Sequence, residues 1–316
     1  MVRRDQVPLV TACRASGFGV ELSHGNQRAV VVEVGGGLRE YTVGGEAVVD
    51  GYGPDEMCSG GRGQILAPWP NRIGGGTYEF GGSTHHLPLS EPDRHNAIHG
   101  LVRWANWTVA ERAADRAVMT YRLHPQPGYP FLLQVNAEYR LSDGGLAVTI
   151  EATNVGALPA PFGAGFHPYL RLTAGNVDRL ELCLPAERFY ETDTHAIPTR
   201  ALAVEGSTYD FRTRRAIGPL QLDTAFTALA RRTDGLAVAE LTDPEDGRQI
   251  RLWCDEGFGY LMVFSGDTLP VPHRRRALAI EPMTCAPDAF RSGDGLVVLQ
   301  PEDTVAARWG ITPPGL

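Results

Sequence analysis

Glu281 closes the apolar run at 277–280 and is followed at once by Pro282. A carboxylate at the end of a hydrophobic strand is costly to bury unless it is paired or used. Desolvation would push its pKa upward, toward the range where a carboxylate serves as a general base near neutrality. His167 stands in Phe162-Gly163-Ala164-Gly165-Phe166-His167-Pro168-Tyr169. There Pro168 biases the backbone toward an extended form, and the aromatics make a partly dry setting for an imidazole. Arg72, within Pro68-Trp69-Pro70-Asn71-Arg72-Ile73-Gly74, has a restricted backbone that suits a guanidinium fork aimed at ligand oxygens. His99 precedes Gly100, which would let a backbone approach an imidazole, and Asp223 enters a strand in Leu222-Asp223-Thr224-Ala225-Phe226. Each also admits a plainer role: Glu281 capping a loop, His167 a satisfied core group, Arg72 a solvated turn, Asp223 a turn acid.

Strands must position these residues, because nothing else is patterned strongly enough. Runs at 29–34, 38–43, 117–123, 131–141, 146–152, 225–231, 236–241, 249–254, 260–264 and 296–299 are short, β-branched or alternating. Asp143-Gly144-Gly145 and Asp234-Gly235 fall between such runs and read as hairpin turns. No convincing 3.6-residue periodicity persists beyond about three turns. The expectation is an all-β chain of packed antiparallel sheets, a single domain over residues 1–316. Two stretches break the strand pattern, 60–100 and 160–170, and long polar connections on a rigid β scaffold are where function concentrates.

Composition narrows the chemistry further. The 316 residues carry 29 basic and 37 acidic groups for a net charge of −8, and every base is arginine. A lysine Schiff base and a phosphate-loop lysine are therefore excluded, and the acidic balance argues against a nucleic-acid partner. The five cysteines share no metal-ligand spacing, which disfavours a disulfide framework and a zinc site. His85, His86, His95 and His99 lie near one another in sequence, but no Glu or Cys partner supports them as ligands, so no metal is expected. No apolar run of export-signal length follows the first residues and none approaches about 18 residues, so neither export nor a membrane span is expected, and the location reads as cytoplasmic.

Taken together, Asn71-Arg72-Ile73, His99-Gly100, His167-Pro168-Tyr169, Asp223 with Phe226, and Glu281-Pro282 with Pro287-Asp288-Ala289 resemble the aldose 1-epimerase (galactose mutarotase) family, in the family's order over about residues 25–310. The resemblance implies one large antiparallel β-sandwich with a sugar cleft, and interconversion of the α and β anomers of a free aldose without cofactor. It implies Glu281 as general base and His167 as general acid, with Arg72, His99 and Asp223 binding sugar hydroxyls. Met283 follows Glu281-Pro282 where galactose-acting members commonly carry Gln, and the strings at 68–73 (Pro-Trp-Pro-Asn-Arg-Ile), 96–104 (Asn-Ala-Ile-His-Gly-Leu-Val-Arg-Trp) and 281–284 (Glu-Pro-Met-Thr) resemble a bacterial branch of uncertain or sulfosugar specificity. Arg103, beside Trp104, is then a candidate for a C6 phosphate or sulfonate. The run Arg274-Arg275-Arg276 could join it, although a solvated loop is the favoured expectation there. The alternatives are a hexose-6-phosphate or sulfosugar epimerase, and a non-catalytic carbohydrate-binding protein on the same scaffold. A monomer or homodimer is expected in either case.

Overall fold

The computed structural model describes residues 13–172 and 175–315. Two large antiparallel sheets dominate them. The first has nine strands, in the order Thr108–Arg112, Arg116–Leu123, Leu133–Ser142, Gly145–Asn154, Thr304–Thr312, Gln249–Cys254, Ala237–Thr242, Glu181–Cys183, Arg215–Ala216. Strands Leu133–Ser142 and Gly145–Asn154 alternate strictly, so Val135, Ala137, Tyr139, Val148 and Ile150 share one buried face. Asp143 and Gly144 join them as a two-residue hairpin, with Ser142 paired to Gly145, as the sequence suggests.

The second sheet has eight strands and holds the site. Its order is Pro198–Ala203, Ala186–Thr192, Asp223–Leu229, Tyr260–Phe264, Leu278–Met283, Gly165–Phe166, Ile65–Leu66, with Tyr169–Leu170 also paired to Leu278–Met283. The inner faces of the two sheets meet in one core, where Phe166 from the second sheet lies 5.1 Å from Trp309 of the first. Burial of such aromatic and aliphatic faces from water is the main force holding the layers together. A four-stranded meander, from Gly19–His24 to Glu46–Ala47, adds to one side.

Three expectations change. Asp234-Gly235 does mark a tight turn, with Gly235 at φ 81°, but it joins no hairpin. The strand before it, Asp223–Leu229, lies in the eight-stranded sheet, and the strand after it, Ala237–Thr242, in the nine-stranded one. The turn carries the chain from one layer to the other. Nor does the strand bearing Glu281 stop there; it runs through Pro282 to Met283. A proline in an inner strand removes a ladder donor. Here the adjacent chain at His167 turns its own backbone groups toward Gly63 and Gln64, at 2.9 and 3.2 Å, so the ladder is already interrupted on that side. Finally, Gly100 makes room for backbone and not for an imidazole, since a Cβ there would lie 2.0 Å from the Ala67 carbonyl oxygen. The glycine that admits an imidazole is Gly61, at φ 74°, where a Cβ would meet the His167 ring at 2.5 Å.

Candidate active site

Strand register explains which side chains face the cleft. Asp223 pairs with Phe264 and Phe264 with Ala279; Ala225 pairs with Met262 and Met262 with Glu281. Directly opposed residues in antiparallel strands project to the same face. Asp223, Ala225, Met262, Phe264 and Glu281 therefore look outward together, while Phe226, Leu261, Val263 and Ile280 supply the core on the other side. The stretch at 60–100, with its short strands Arg72–Gly74 and Asn96–Ile98, folds over this outward face and closes a cavity of about 470 Å³. Arg72, His99, Arg103, His167, Asp223 and Glu281 all line it. Residues scattered over two-thirds of the chain are thus brought to one place.

His167 Nε2 approaches Glu281 Oε1 at 3.3 Å, and both side chains are almost wholly buried. Two of their polar atoms, Glu281 Oε2 and His167 Nδ1, have no hydrogen-bond partner among the described residues. Buried polar atoms are rarely left so, which makes them natural points for a ligand to satisfy. Burial raises the Glu281 pKa well above the usual carboxylate range; the nearby Asp223 charge adds to this and Arg72 opposes it. Burial also pushes His167 down to about 3, with Arg103 and Arg62 contributing in the same direction. Burial therefore favours an uncharged pair, a carboxylic acid beside a neutral imidazole. A general base and a general acid, the roles the family resemblance implies for Glu281 and His167, would instead start as carboxylate and imidazolium. Tyr169 stacks on His167 at 4.8 Å, nearly parallel, and holds its plane.

His99 is oriented by a reciprocal clasp. Its backbone N–H donates to the Asn71 carbonyl at 2.8 Å, and the Asn71 N–H donates to His99 Nδ1 at 3.3 Å. Both residues sit in the left-handed region, at φ 55° for Asn71 and 63° for His99. Such conformations in residues other than glycine persist where surrounding structure enforces them, and they gather at functional sites. Burial, helped by His167 and the nearby arginines, pulls the His99 pKa well below its ordinary value, so the ring is neutral and its proton sits on Nε2.

Arg72 and Asp223 belong to a charge network whose other members, Glu91 and Arg94, the sequence reading missed. Arg72 donates Nε to Glu91 Oε2 at 2.8 Å and Nη2 to Glu91 Oε1 at 3.0 Å. That is the two-point fork geometry peculiar to arginine. Burial works against the Arg72 charge, but the Glu91 bonds and the Asp223 field outweigh it, and its pKa ends above the ordinary value. Asp223 lies 3.8 Å from Arg72 and accepts from Arg94 at 3.3 Å. Asn96, fully buried, donates to Glu91 and to the His195 carbonyl, which ties the loop down. Asp288 of the Pro287-Asp288-Ala289 motif accepts from the Gly74 N–H at 2.9 Å, and its own N–H donates to the Arg72 carbonyl at 2.7 Å. That motif positions the strand bearing Arg72.

Arg103 also lines the cavity, its guanidinium 5.6 Å from the centre of the exposed Trp104 ring. The arginine run does not reach the cavity, and Arg275 contradicts the expected solvated loop. It is buried, donating to Asp178, Asp267 and the Gly218 and Leu220 carbonyls, and so fastens a turn. Arg276 pairs with the buried Asp50 at 2.7 Å, and Arg274 reaches the Leu269 carbonyl. The histidines near His99 in sequence do not converge on it: His85 stacks on Tyr78, and His95 ends a short 3-10 turn in a left-handed conformation.

Comparison with known proteins places this arrangement in a class. The model of the aldose 1-epimerase family matches residues 19–312, and the chain belongs to that family. It is 36% identical over 292 residues to the uncharacterized protein YihR of Escherichia coli (strain K12), covering 92% of both chains. Among solved structures it is similar to the GalM/aldose epimerase homologue from C. elegans, at a TM-score of 0.84 and 19% identity, covering 94% of this chain and 99% of that one. It is also similar to galactose 1-epimerase from Lactobacillus acidophilus, at a TM-score of 0.78 and 20% identity over 94% of each chain. The predominantly β architecture with large antiparallel sheets is that of the mutarotase-like sandwich.

Proposed function

We propose that the chain is a mutarotase, opening and reclosing the ring of a reducing aldose so that its α and β anomers interconvert. The observation that carries the reading is the buried Glu281–His167 pair, 3.3 Å apart and opening onto a polar cavity. Ring opening takes the proton from the C1 hydroxyl and gives one to the ring oxygen. These oxygens share a carbon, so two adjacent groups can serve both at once.

Glu281 acts as the base and His167 as the acid. A sugar hydroxyl donating to Glu281 Oε2, which has no partner among the described residues, stabilises the carboxylate and shifts the shared proton to His167. Opening returns the pair to its neutral form. After rotation about C1–C2, closure runs both transfers backward: protonated Glu281 gives its proton to the new C1 oxygen, and His167 takes one from the hydroxyl of the closing ring. No covalent intermediate is required. Arg72, His99 and Asp223 hold the sugar by its oxygens. The test is anomer exchange on glucose and galactose by NMR or polarimetry, with Glu281→Gln and His167→Asn as controls that remove the acceleration. Binding without exchange would make the chain a carbohydrate-binding protein instead.

One observation favours a second reading, that the sugar carries an acidic C6 group. Among the described residues no carboxylate pairs with Arg103, although it lines the cavity. An uncompensated guanidinium there suits a phosphate or sulfonate. Exchange on glucose 6-phosphate and sulfoquinovose, beside glucose and with Arg103→Gln, decides between the two: a preference for the acidic sugar that Arg103→Gln abolishes supports this reading.

A further inference from the structure

Next to His167 lies a cluster of charge that the acid–base step does not use. Arg62 and Asp50 are both buried, with Arg62 Nε 3.3 Å from Asp50 Oδ2. Two more guanidinium groups converge on the same carboxylate, Arg276 at 2.7 Å and Arg171 at 3.8 Å from Oδ1. Among the described residues none of the three arginines has a second carboxylate within ion-pair reach, so one negative charge faces three positive ones. Arg62 Nη1 donates to the Ser59 carbonyl at 2.9 Å and to its hydroxyl at 2.6 Å, while Nη2 has no hydrogen-bond partner among the described residues. Apolar side chains of similar volume often hold a fold as well as a buried ion pair does, so a dry surplus of positive charge calls for a use other than stability.

The cluster is tied to His167 through the backbone and through one ring. Gly61, the neighbour of Arg62, packs on the imidazole, and the Gly63 N–H donates to the His167 carbonyl at 2.9 Å. The Asp50 N–H donates to the Tyr169 carbonyl at 2.8 Å. The Tyr169 ring centre lies 4.8 Å from that of His167 and 5.7 Å from the Arg62 guanidinium carbon, and its hydroxyl donates to the Gly60 carbonyl at 2.7 Å. Arg62 is not part of the cavity lining. The other groups around the imidazole are Glu281 at 3.3 Å, the neutral His99 ring at 5.5 Å, and Arg103 and Cys58 in the cavity wall. Burial pushes the Cys58 thiol up to about 11, so it carries no charge at neutral pH. Arg72 and Asp223 share the cavity and act on Glu281. Arg62, with its side chain 2% exposed, is the driest of these cations, whereas Arg171 and Arg276 reach water, which damps their fields.

We propose that Arg62, moderated by Asp50, is a positioning residue for proton transfer: its charge opposes a proton resting on His167, so that the imidazole passes the proton on to the ring oxygen. The proposal deepens the mutarotase reading and rests on it for the step itself. Carboxylic acid with neutral imidazole, and carboxylate with imidazolium, carry the same number of protons. The working pair is therefore bounded by the gain of one proton at low pH and the loss of one at high pH. A fixed cation nearby disfavours the gain and favours the loss, which moves both limbs of the pH profile to lower pH. Asp50 works in the opposite sense.

The experiment follows anomer exchange against pH on glucose, galactose and glucose 6-phosphate, and titrates the His167 imidazole of the full chain by NMR. Arg62→Gln should move both limbs of the profile, and the imidazole midpoint, upward by about one pH unit. Arg62→Lys keeps the charge and should leave limbs and midpoint in place, whatever it costs in rate. Asp50→Asn should move them downward. That variant strips three arginines of their partner and can unfold the chain, so Arg276→Gln, at a partly exposed position, supplies a second measurement: a smaller upward shift. A loss of rate with limbs and midpoint unmoved in both Arg62→Gln and Arg276→Gln overturns the proposal, as does an equal shift from Arg62→Lys and Arg62→Gln. A shifted midpoint in a chain that exchanges no sugar retires the mutarotase reading and leaves the control of the imidazole standing. Exchange with an unmoved midpoint does the reverse.

Discussion

The cavity holds two sets of ionisable side chains built on opposite plans. Arg72, Glu91, Asp223 and Arg94 are bonded to one another, part of the set is open to water, and Arg72 and Glu91 shift toward their charged forms. Glu281 and His167 lie deeper, leave a polar atom apiece unpartnered, and shift toward their uncharged forms. The difference suits the roles proposed for the two sets. A group that must hold an oxygen in place gains from being locked by its neighbours. A group that must give up and take back a proton loses by being locked in either state, because its task requires both protonation states to lie close in free energy.

The comparison breaks first, if it is wrong, at the deep pair. Glu281→Gln and His167→Asn should each cost about 10²–10⁴-fold in the rate of anomer exchange with the fold intact, measured by NMR exchange on the preferred sugar. Next in size is Arg72→Ala, which removes a fork and leaves Glu91 without its partner. Its loss should fall mainly on KM, because binding rather than proton transfer is removed. Glu91→Gln keeps the shape and removes the charge behind Arg72. A drop of about tenfold in kcat/KM, with the pH profile unmoved, would mark Glu91 as a positioning residue. A displaced profile would show it acting on the pair directly.

The smallest effects, and the sharpest, are in stability against pH. His167 is protonated in the unfolded chain below its ordinary 6.5 and stays neutral in the folded one down to about 3. The unfolded state therefore binds more protons across that window, and folding stability falls as pH falls through it. Glu281 does the opposite: its folded pKa is raised, so its contribution is present in acid and is lost as pH rises above its ordinary 4.5 toward the folded value. Denaturant melts should find His167→Asn relatively stabilised near pH 4 and Glu281→Gln relatively stabilised near pH 8. Parallel shifts at both pH values would mean the pair is not desolvated as described.

Glu281, His167 and Arg72 each sit in a local pattern with a physical meaning: an apolar run ending in Glu-Pro, an imidazole between aromatics and proline, and an arginine held between proline and glycine. A plainer role was open to each, and what drew them and Asp223 into one set was the family resemblance. Glu91 and Arg94 were not legible at all. They lie in a charged loop like many others, and what singles them out is pairing with Arg72 and Asp223 at separations of 19 and 129 residues, which no local pattern encodes. The two glycine turns make the same point for the fold. Asp143-Gly144 and Asp234-Gly235 look alike, yet one closes a hairpin and the other changes sheets, because burial of the flanking strands and not the turn decides where they pair. Arg275 was misread for a related reason, since a run of arginines looks solvated until the carbonyls around it are known.

If His99 binds sugar as proposed, its clasp with Asn71 bears on which sugars can enter. With Nδ1 occupied as an acceptor and the ring uncharged, the imidazole has a single hydrogen to offer, on the edge away from Asn71, and no lone pair beside it. An ether or hydroxyl oxygen can answer that hydrogen. An ammonium cannot, for it would set donor against donor, and an amino sugar oriented with its nitrogen there would be turned away at neutral pH, whereas its N-acetylated form could still present a carbonyl.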